Sequence, residues 1–240
     1  WTIKNLTDFW GIGSRTAKRL NKLSIFSIRD LAHANPDTLE KEFGVIGVQL
    51  WFHANGVDES KVTNPYKTKS EGYSNSQILP RDYIKQNEIE IVLREMAEQV
   101  AVRIRRKKKK ACQASIHIGF SYSEDKKAIK AQRKISPSNS TKTISDAVIQ
   151  LFREKYKGGS VRSIGVSYGK LVDDSYTSYT LFDDIEKLEK QEQLDKSIDE
   201  IRNKFGYTSI LSGSSLMEGS RVIERSKLIG GHAGGLDGIL

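Results

Sequence analysis

A change of hydrophobic period, repeated in a fixed order between residues 70 and 175, is the feature that most narrows the fold of this chain. Gly72 to Leu79 has the make-up of a strand. From Asn87 to Lys109, Ile91, Val92, Glu95, Met96, Gln99, Val100, Arg103 and Ile104 recur at three- and four-residue spacing, which predicts a helix. Ala111 to Tyr122 alternates as a strand, with Ile116, Ile118 and Phe120 on one face, and Ile129 to Ile135 is its expected antiparallel partner. Ile144 to Tyr156 returns to helical spacing, and Val161 to Leu171 closes the unit as a strand. The order β-α-β-β-α-β matches the ferredoxin-like split arrangement, with two helices on one face of a sheet. The other face is then free to meet a ligand.

The flanking segments differ in kind. Residues 1–62 read as short helices broken by glycine turns, and Asn35-Pro36-Asp37 marks a helix start. Residues 63–69 are polar, contain Pro65 and lack apolar periodicity, so they are expected to link two domains. Residues 176–240 form an extension, with a helix expected near 185–205 and a flexible glycine-rich end. The fold class is thus α+β: a small all-α domain at 1–62, the β-α-β-β-α-β domain at 70–175, and a helical extension. No apolar run approaches the ~20 residues of a bilayer span. A single cysteine, Cys112, suits a reducing cytoplasm and excludes an internal disulfide framework.

Charge is concentrated in the middle. The balance is +1 over residues 1–62, +11 over 63–175 and −3 over 176–240, within a formal total of +9. The densest stretch is Arg103, Arg105, Arg106, Lys107, Lys108, Lys109 and Lys110, and a second group is Lys126, Lys127, Lys130, Arg133 and Lys134. A helix C-terminus favours two or three cations, not seven. Such clusters point to a polyanion, and nucleic acid is the expected partner.

A second phosphate-binding signal lies near the N-terminus. Phe9-Trp10-Gly11-Ile12-Gly13-Ser14-Arg15-Thr16-Ala17-Lys18-Arg19-Leu20 fits the helix-hairpin-helix spacing. Glycine permits backbone shapes closed to other residues, so amides of the turn and of the next helix can aim at a phosphate. Ile12 would anchor the turn, Ala17 would permit close helix crossing, and Gly11, Gly13, Ser14, Arg15 and Lys18 would meet the backbone of DNA without reading bases. Phe43-Gly44-Val45-Ile46-Gly47 is a weaker copy. Trp1, Trp10 and Trp51 are able to stack on bases, yet Trp10 and Trp51 lie in apolar helical patterns and are expected in the core. The four histidines, His33, His53, His117 and His232, have no ligand spacing, so no metal site and no catalytic residue is expected.

Together with Ala54-Asn55-Gly56-Val57-Asp58, Lys69-Ser70, Tyr73-Ser74, Arg81-Asp82-Tyr83 and Val161-Arg162-Ser163-Ile164-Gly165-Val166-Ser167, the hairpin resembles the C-terminal half of Y-family translesion DNA polymerases. The branch is the UmuC-like (ImpB/MucB/SamB) one of Gram-positive bacteria. The resemblance implies a thumb at 1–62 and a little finger at 70–175, gripping primer-template duplex in DNA repair and the SOS response. It adds Lys67, Lys69 and Arg162 to the DNA-binding candidates. It also implies that magnesium belongs to a palm domain whose sequence is not in this chain, so the chain is expected to be inactive alone and to hold no cofactor. Ser197-Ile198-Asp199-Glu200 imitates a palm motif but sits where Leu194, Ile198 and Ile201 repeat as a helix face. Tyr179-Thr180-Leu181-Phe182 resembles the bacterial sliding-clamp peptide, with Leu181 and Phe182 as anchors, the alternative being a hydrophobic contact within the chain. Two further readings remain: a non-catalytic DNA-binding or regulatory protein that keeps only this half, and a protein-interaction module.

Overall fold

A computed structural model describes residues 2–61, 63, 71–175 and 184–228. The chain divides into two compact units, Trp1–Lys67 and Thr68–Leu240.

The first unit is helical. A single 3-10 turn, Leu6–Asp8, precedes α1 (Ser14–Lys22), so the expected hairpin has one short arm and one full helix. α2 (Ile28–His33) begins with a capping box: the Asp30 amide donates to Ser27 Oγ at 3.1 Å and the Ser27 amide donates to Asp30 Oδ2 at 2.9 Å. α3 (Pro36–Phe43) starts on Asn35, with Pro36 in the first turn where its missing N–H costs nothing. Gly44 turns the chain at φ +65° into α4 (Val45–Ala54). Gly47 lies so close to α3 that an added Cβ would stand 2.3 Å from the Leu39 carbonyl oxygen, which is why glycine is needed there. Leu6, Ile12, Leu20, Ile28, Leu31, Leu39 and Leu50 form the core, and Trp51 packs half-buried against it.

The second unit carries a four-stranded antiparallel sheet: β1 (Gly72–Tyr83), β2 (Lys109–Phe120), β3 (Ile129–Ser138) and β4 (Val161–Asp173). α5 (Gln86–Arg106) and α6 (Thr141–Lys155) supply the crossovers. The predicted pairing of β2 with β3 is observed. The strand order, β1-β4-β2-β3, corrects the ferredoxin-like expectation, in which the first and third strands are central. Here β4 and β2 are central, and each β-α-β unit is split by a strand of the other. Pro80 and Pro137, which cannot donate to a ladder, fall on the two edge strands, in the stretches where the pairing shifts register.

Helices α5 and α6 cover one face of the sheet, burying Ile89, Leu93, Met96, Val100, Val148 and Phe152 against Ile116, Ile118, Ile164 and Val166. Tyr168 is wholly enclosed, and its hydroxyl donates to the Ile144 carbonyl at 2.9 Å, tying β4 to the first turn of α6. Burial pushes that hydroxyl's pKa far up.

The segment after β4 lies on the outer side of the helices. Its long helix, α7 (Ile185–Phe205), falls where the sequence predicted it. Asp195 and Arg202 are buried and Ile198 is half-buried, while Leu194, Ile201 and Phe205 are exposed. The reason is that α5 and α6 meet α7 with charge. Arg202 Nη1 donates to Glu98 Oε1 at 2.8 Å, and the Thr141 amide of α6 donates to Asp195 Oδ2 at 2.9 Å. The chain then returns to α5 near the short α8 (Val222–Arg225), where Ser220 Oγ and the Arg221 amide both donate to Glu95.

Candidate nucleic-acid interface

Strand alternation sends every second residue of the sheet away from the helices, and apart from Ile78 at the end of the β1 column those on the paired stretch are small or polar. Three cross-strand rows follow from the register: Ser76-Gly165-His117-Lys130, Ser74-Ser167-Ser115-Gln132, and Gly72-Gly169-Gln113-Lys134. The first two rows floor a groove of about 580 Å³. Without a large side chain on the β4 column, another molecule's backbone can approach the sheet closely. Serine and glutamine supply donors, and Lys130 and Lys134, both exposed on β3, supply positive charge. None of the twelve residues in these rows is acidic. The serines, glycines, His117 and the glutamines were missed as site residues, although the signal, Ser163-Ile164-Gly165-Val166-Ser167-Tyr168-Gly169, is visible in the sequence.

The same alternation divides the predicted cations. Arg133 shares the parity of Ile129, Ala131 and Ile135, which pack on the core, and it turns toward α6: Nη1 donates to Gln150 Oε1 at 3.0 Å and Nη2 pairs with Glu154. It does not stand on the open face, which corrects its place beside Lys130 and Lys134. Lys126 pairs with Glu124 at 3.0 Å. The Ser160 amide first, and then Lys126, hold the Glu124 carboxyl down at about 2. Lys127 is exposed in the β2–β3 loop.

The seven-cation run is not one patch. Arg103 donates to the Ser74 carbonyl at 2.9 Å and lies over the Tyr73 ring. Arg105 is 13% exposed and is taken up by Asp199, Asp195, Asn139 and Thr141, so it is a structural residue and not a surface contact. Arg106 donates to Asn203 of α7 at 2.6 Å. Lys107 and Lys108 are exposed at the C-terminal end of α5, where the helix dipole favours them. Lys109 is paired with Asp173 at 2.7 Å. Arg162 stands 3.8 Å from Asp82.

In the helical unit, Gly11 adopts φ +88°, and Gly13 caps α1 with open space where a Cβ would point. Ser14, Arg15 and Lys18 are exposed and Ile12 is buried as its anchoring role requires. Arg19 is committed to Glu42 at 2.7 Å. Trp10 departs from expectation: it is 88% exposed and not part of the core. Lys67, Lys69, Leu181 and Phe182 lie outside the described residues, as do most of the linker and the glycine-rich end.

Among the described residues no group of three or more His, Cys, Asp or Glu side chains is placed to hold a metal ion. Asp199 of the palm-like Ser-Ile-Asp-Glu stretch is bound by Arg105, and its neighbour Asp195 by Thr141. Among the described residues no helix is long and apolar enough to cross a membrane.

The impB/mucB/samB family C-terminal domain matches residues 70–181. A Bacillus subtilis protein named for UV-damage repair, UvrX, is 35% identical over 233 residues, covering 97% of this chain and 56% of that one. DNA polymerase IV 2 of Bacillus subtilis is 33% identical over 227 residues, covering 94% and 54%. This chain therefore spans about half the length of each of those two relatives. The DNA repair protein homolog YobH of Bacillus subtilis is 36% identical over 159 residues, covering 66% of this chain and 73% of that one. On these matches, the chain belongs to the impB/mucB/samB family of UmuC-like, Y-family DNA polymerases and corresponds to its C-terminal region.

Proposed function

We propose that this chain holds double-stranded primer-template DNA for an error-prone translesion polymerase, with residues 1–62 as the thumb, 63–69 as the linker and 70–175 as the little finger. The observation that carries the reading is the Gly/Ser floor of the open sheet face, rimmed by Lys130 and Lys134. A protein layer would demand apolar residues there. A duplex demands donors, cations and room for its backbone, and contacts of that kind carry no base sequence. Lys107, Lys108 and Lys127, with Gly13, Ser14, Arg15 and Lys18 of the hairpin, extend the grip to further phosphates. Lys67, Lys69 and Arg162 keep the place that the family resemblance assigns them. Nucleotidyl transfer and magnesium belong in this reading to palm carboxylates outside this sequence, so these 240 residues hold no cofactor and extend no primer alone.

Duplex binding measured against salt tests this. About five phosphate contacts give a log–log slope of about −4 to −5. Binding that ignores salt, or that one base sequence alone supports, would contradict it.

A second reading concerns protein partners. The exposed Leu194, Ile201 and Phe205 on α7 favour a protein contact for the segment after the little finger. Leu181 and Phe182, just upstream, are proposed to dock on the bacterial sliding clamp. Clamp titration with Leu181→Ala, Phe182→Ala should lose binding while leaving duplex affinity intact.

A further inference from the structure

We propose that Trp10 is a stacking platform for an unpaired nucleic-acid base, on a strand whose phosphates the cations of α1 hold. The inference rests on the DNA-holding reading and adds the part of the ligand that this unit recognises. The indole is 88% exposed, and the backbone that carries it is anchored on both sides. Ile12, two residues on, is buried in the helical core, and Phe9, just before, packs on it. The Ile12 amide donates to the Phe9 carbonyl at 3.1 Å, closing the turn between them. Gly11 is pressed against α4, where an added Cβ would come within 3.2 Å of Leu50 Cδ2. The turn is thus held from the core side, with the indole left on the solvent side.

The setting of this ring selects its occupant. Between Asp8 and Asp30 the chain carries no carboxylate, and Arg15, Lys18 and Lys22 of α1 are exposed, whereas Arg19 is paired with Glu42. An apolar ring among cations suits a polyanion with flat apolar faces, which is nucleic acid. Within a duplex those faces are stacked on one another. A whole indole face is therefore used only by a base released from the stack, at a strand end or in a single-stranded overhang.

The test titrates the whole chain with three labelled DNAs: a blunt duplex, the same duplex with a thymidine overhang, and one whose overhang is abasic. The expected result is tightest binding, and quenching of tryptophan emission, with the base-bearing overhang. Trp10→Ala should weaken that complex about 5- to 100-fold, to the level of the abasic one, with an unchanged salt slope because no phosphate contact is lost. Trp10→Phe should keep part of the affinity. Equal affinity of the wild type for abasic and base-bearing overhangs, or of Trp10→Ala and wild type for the latter, would overturn the proposal. Absence of salt-dependent binding to any of the three DNAs would instead sink the DNA-holding reading itself.

Discussion

The Arg105 guanidinium grips the Asp199 carboxylate at two points, Nε to Oδ2 at 2.7 Å and Nη2 to Oδ1 at 2.9 Å. Its third nitrogen donates to the Asn139 carbonyl at 2.8 Å and the Thr141 hydroxyl at 3.0 Å, so four of its five N–H groups have acceptors. This one contact settles two questions raised by the sequence. Arg105 belongs to the seam between α5, α6 and α7, not to a DNA-facing run. Asp199, part of a stretch that imitates a metal-binding motif, is an ion-pair partner.

Removing one member of a nearly buried pair leaves an uncompensated charge. Arg105→Ala and Asp199→Ala should each lower unfolding free energy by about 3 kcal/mol in urea titrations. Lys107→Ala, on an exposed side chain, should change it by less than about 0.5 kcal/mol. A small effect for Arg105→Ala would mean that the seam is hydrated.

On β3, neighbouring residues separate binding from stability. Lys130→Glu and Lys134→Glu should each weaken duplex binding for all sequences alike, and reduce the salt slope by about 1. Arg133→Ala should leave the slope alone and cost under about 1 kcal/mol of stability, because its partners on α6 are half-exposed. A slope change from Arg133→Ala equal to that from Lys130→Glu would refute the division by parity.

The floor itself can be blocked. An added Cβ at Gly165 meets nothing closer than His117 Cβ at 3.5 Å, which is ordinary contact. Gly165→Leu should therefore fold with nearly wild-type stability, while its side chain rises into the groove and lowers duplex affinity at least ~10-fold, judged as the loss of two or so contacts. Undiminished binding by a folded Gly165→Leu variant would remove the floor from the interface.

Glu95 makes stability depend on pH. Burial raises its pKa above the ordinary 4.5, against the opposing hydrogen bonds from Ser220 and Arg221. Between 4.5 and its folded value, the native chain keeps a proton that the unfolded chain has released. Stability from this group thus falls as pH rises through that window and is level above it. Glu95→Gln should flatten the curve on denaturant titration across the window and raise the melting temperature at neutral pH. An unchanged pH profile would show that Glu95 is not the group responsible.

The sequence by itself determined what local spacing controls. Alternation and helical period set out the β-α-β-β-α-β order, and α7 was placed to the residue because its period is regular. The hairpin spacing likewise fixed which of Ile12 and Gly13 would be buried and which open. Part of the site was legible too: with Ile129, Ala131 and Ile135 assigned to the core, parity alone sends Lys130 and Lys134 outward and Arg133 inward. Tertiary structure decided whatever depended on distant partners. Arg105 and Asp199 are 94 positions apart, and nothing in either neighbourhood announces the other. α7 shows the same limit: its period marks a helix, but the Glu98, Arg105 and Thr141 amide that α5 and α6 present are what draw Asp195 and Arg202 inward. Trp10 is exposed because Phe9 and Ile12 on either side already fill the core, and how much of a core is filled is a property of the folded chain alone.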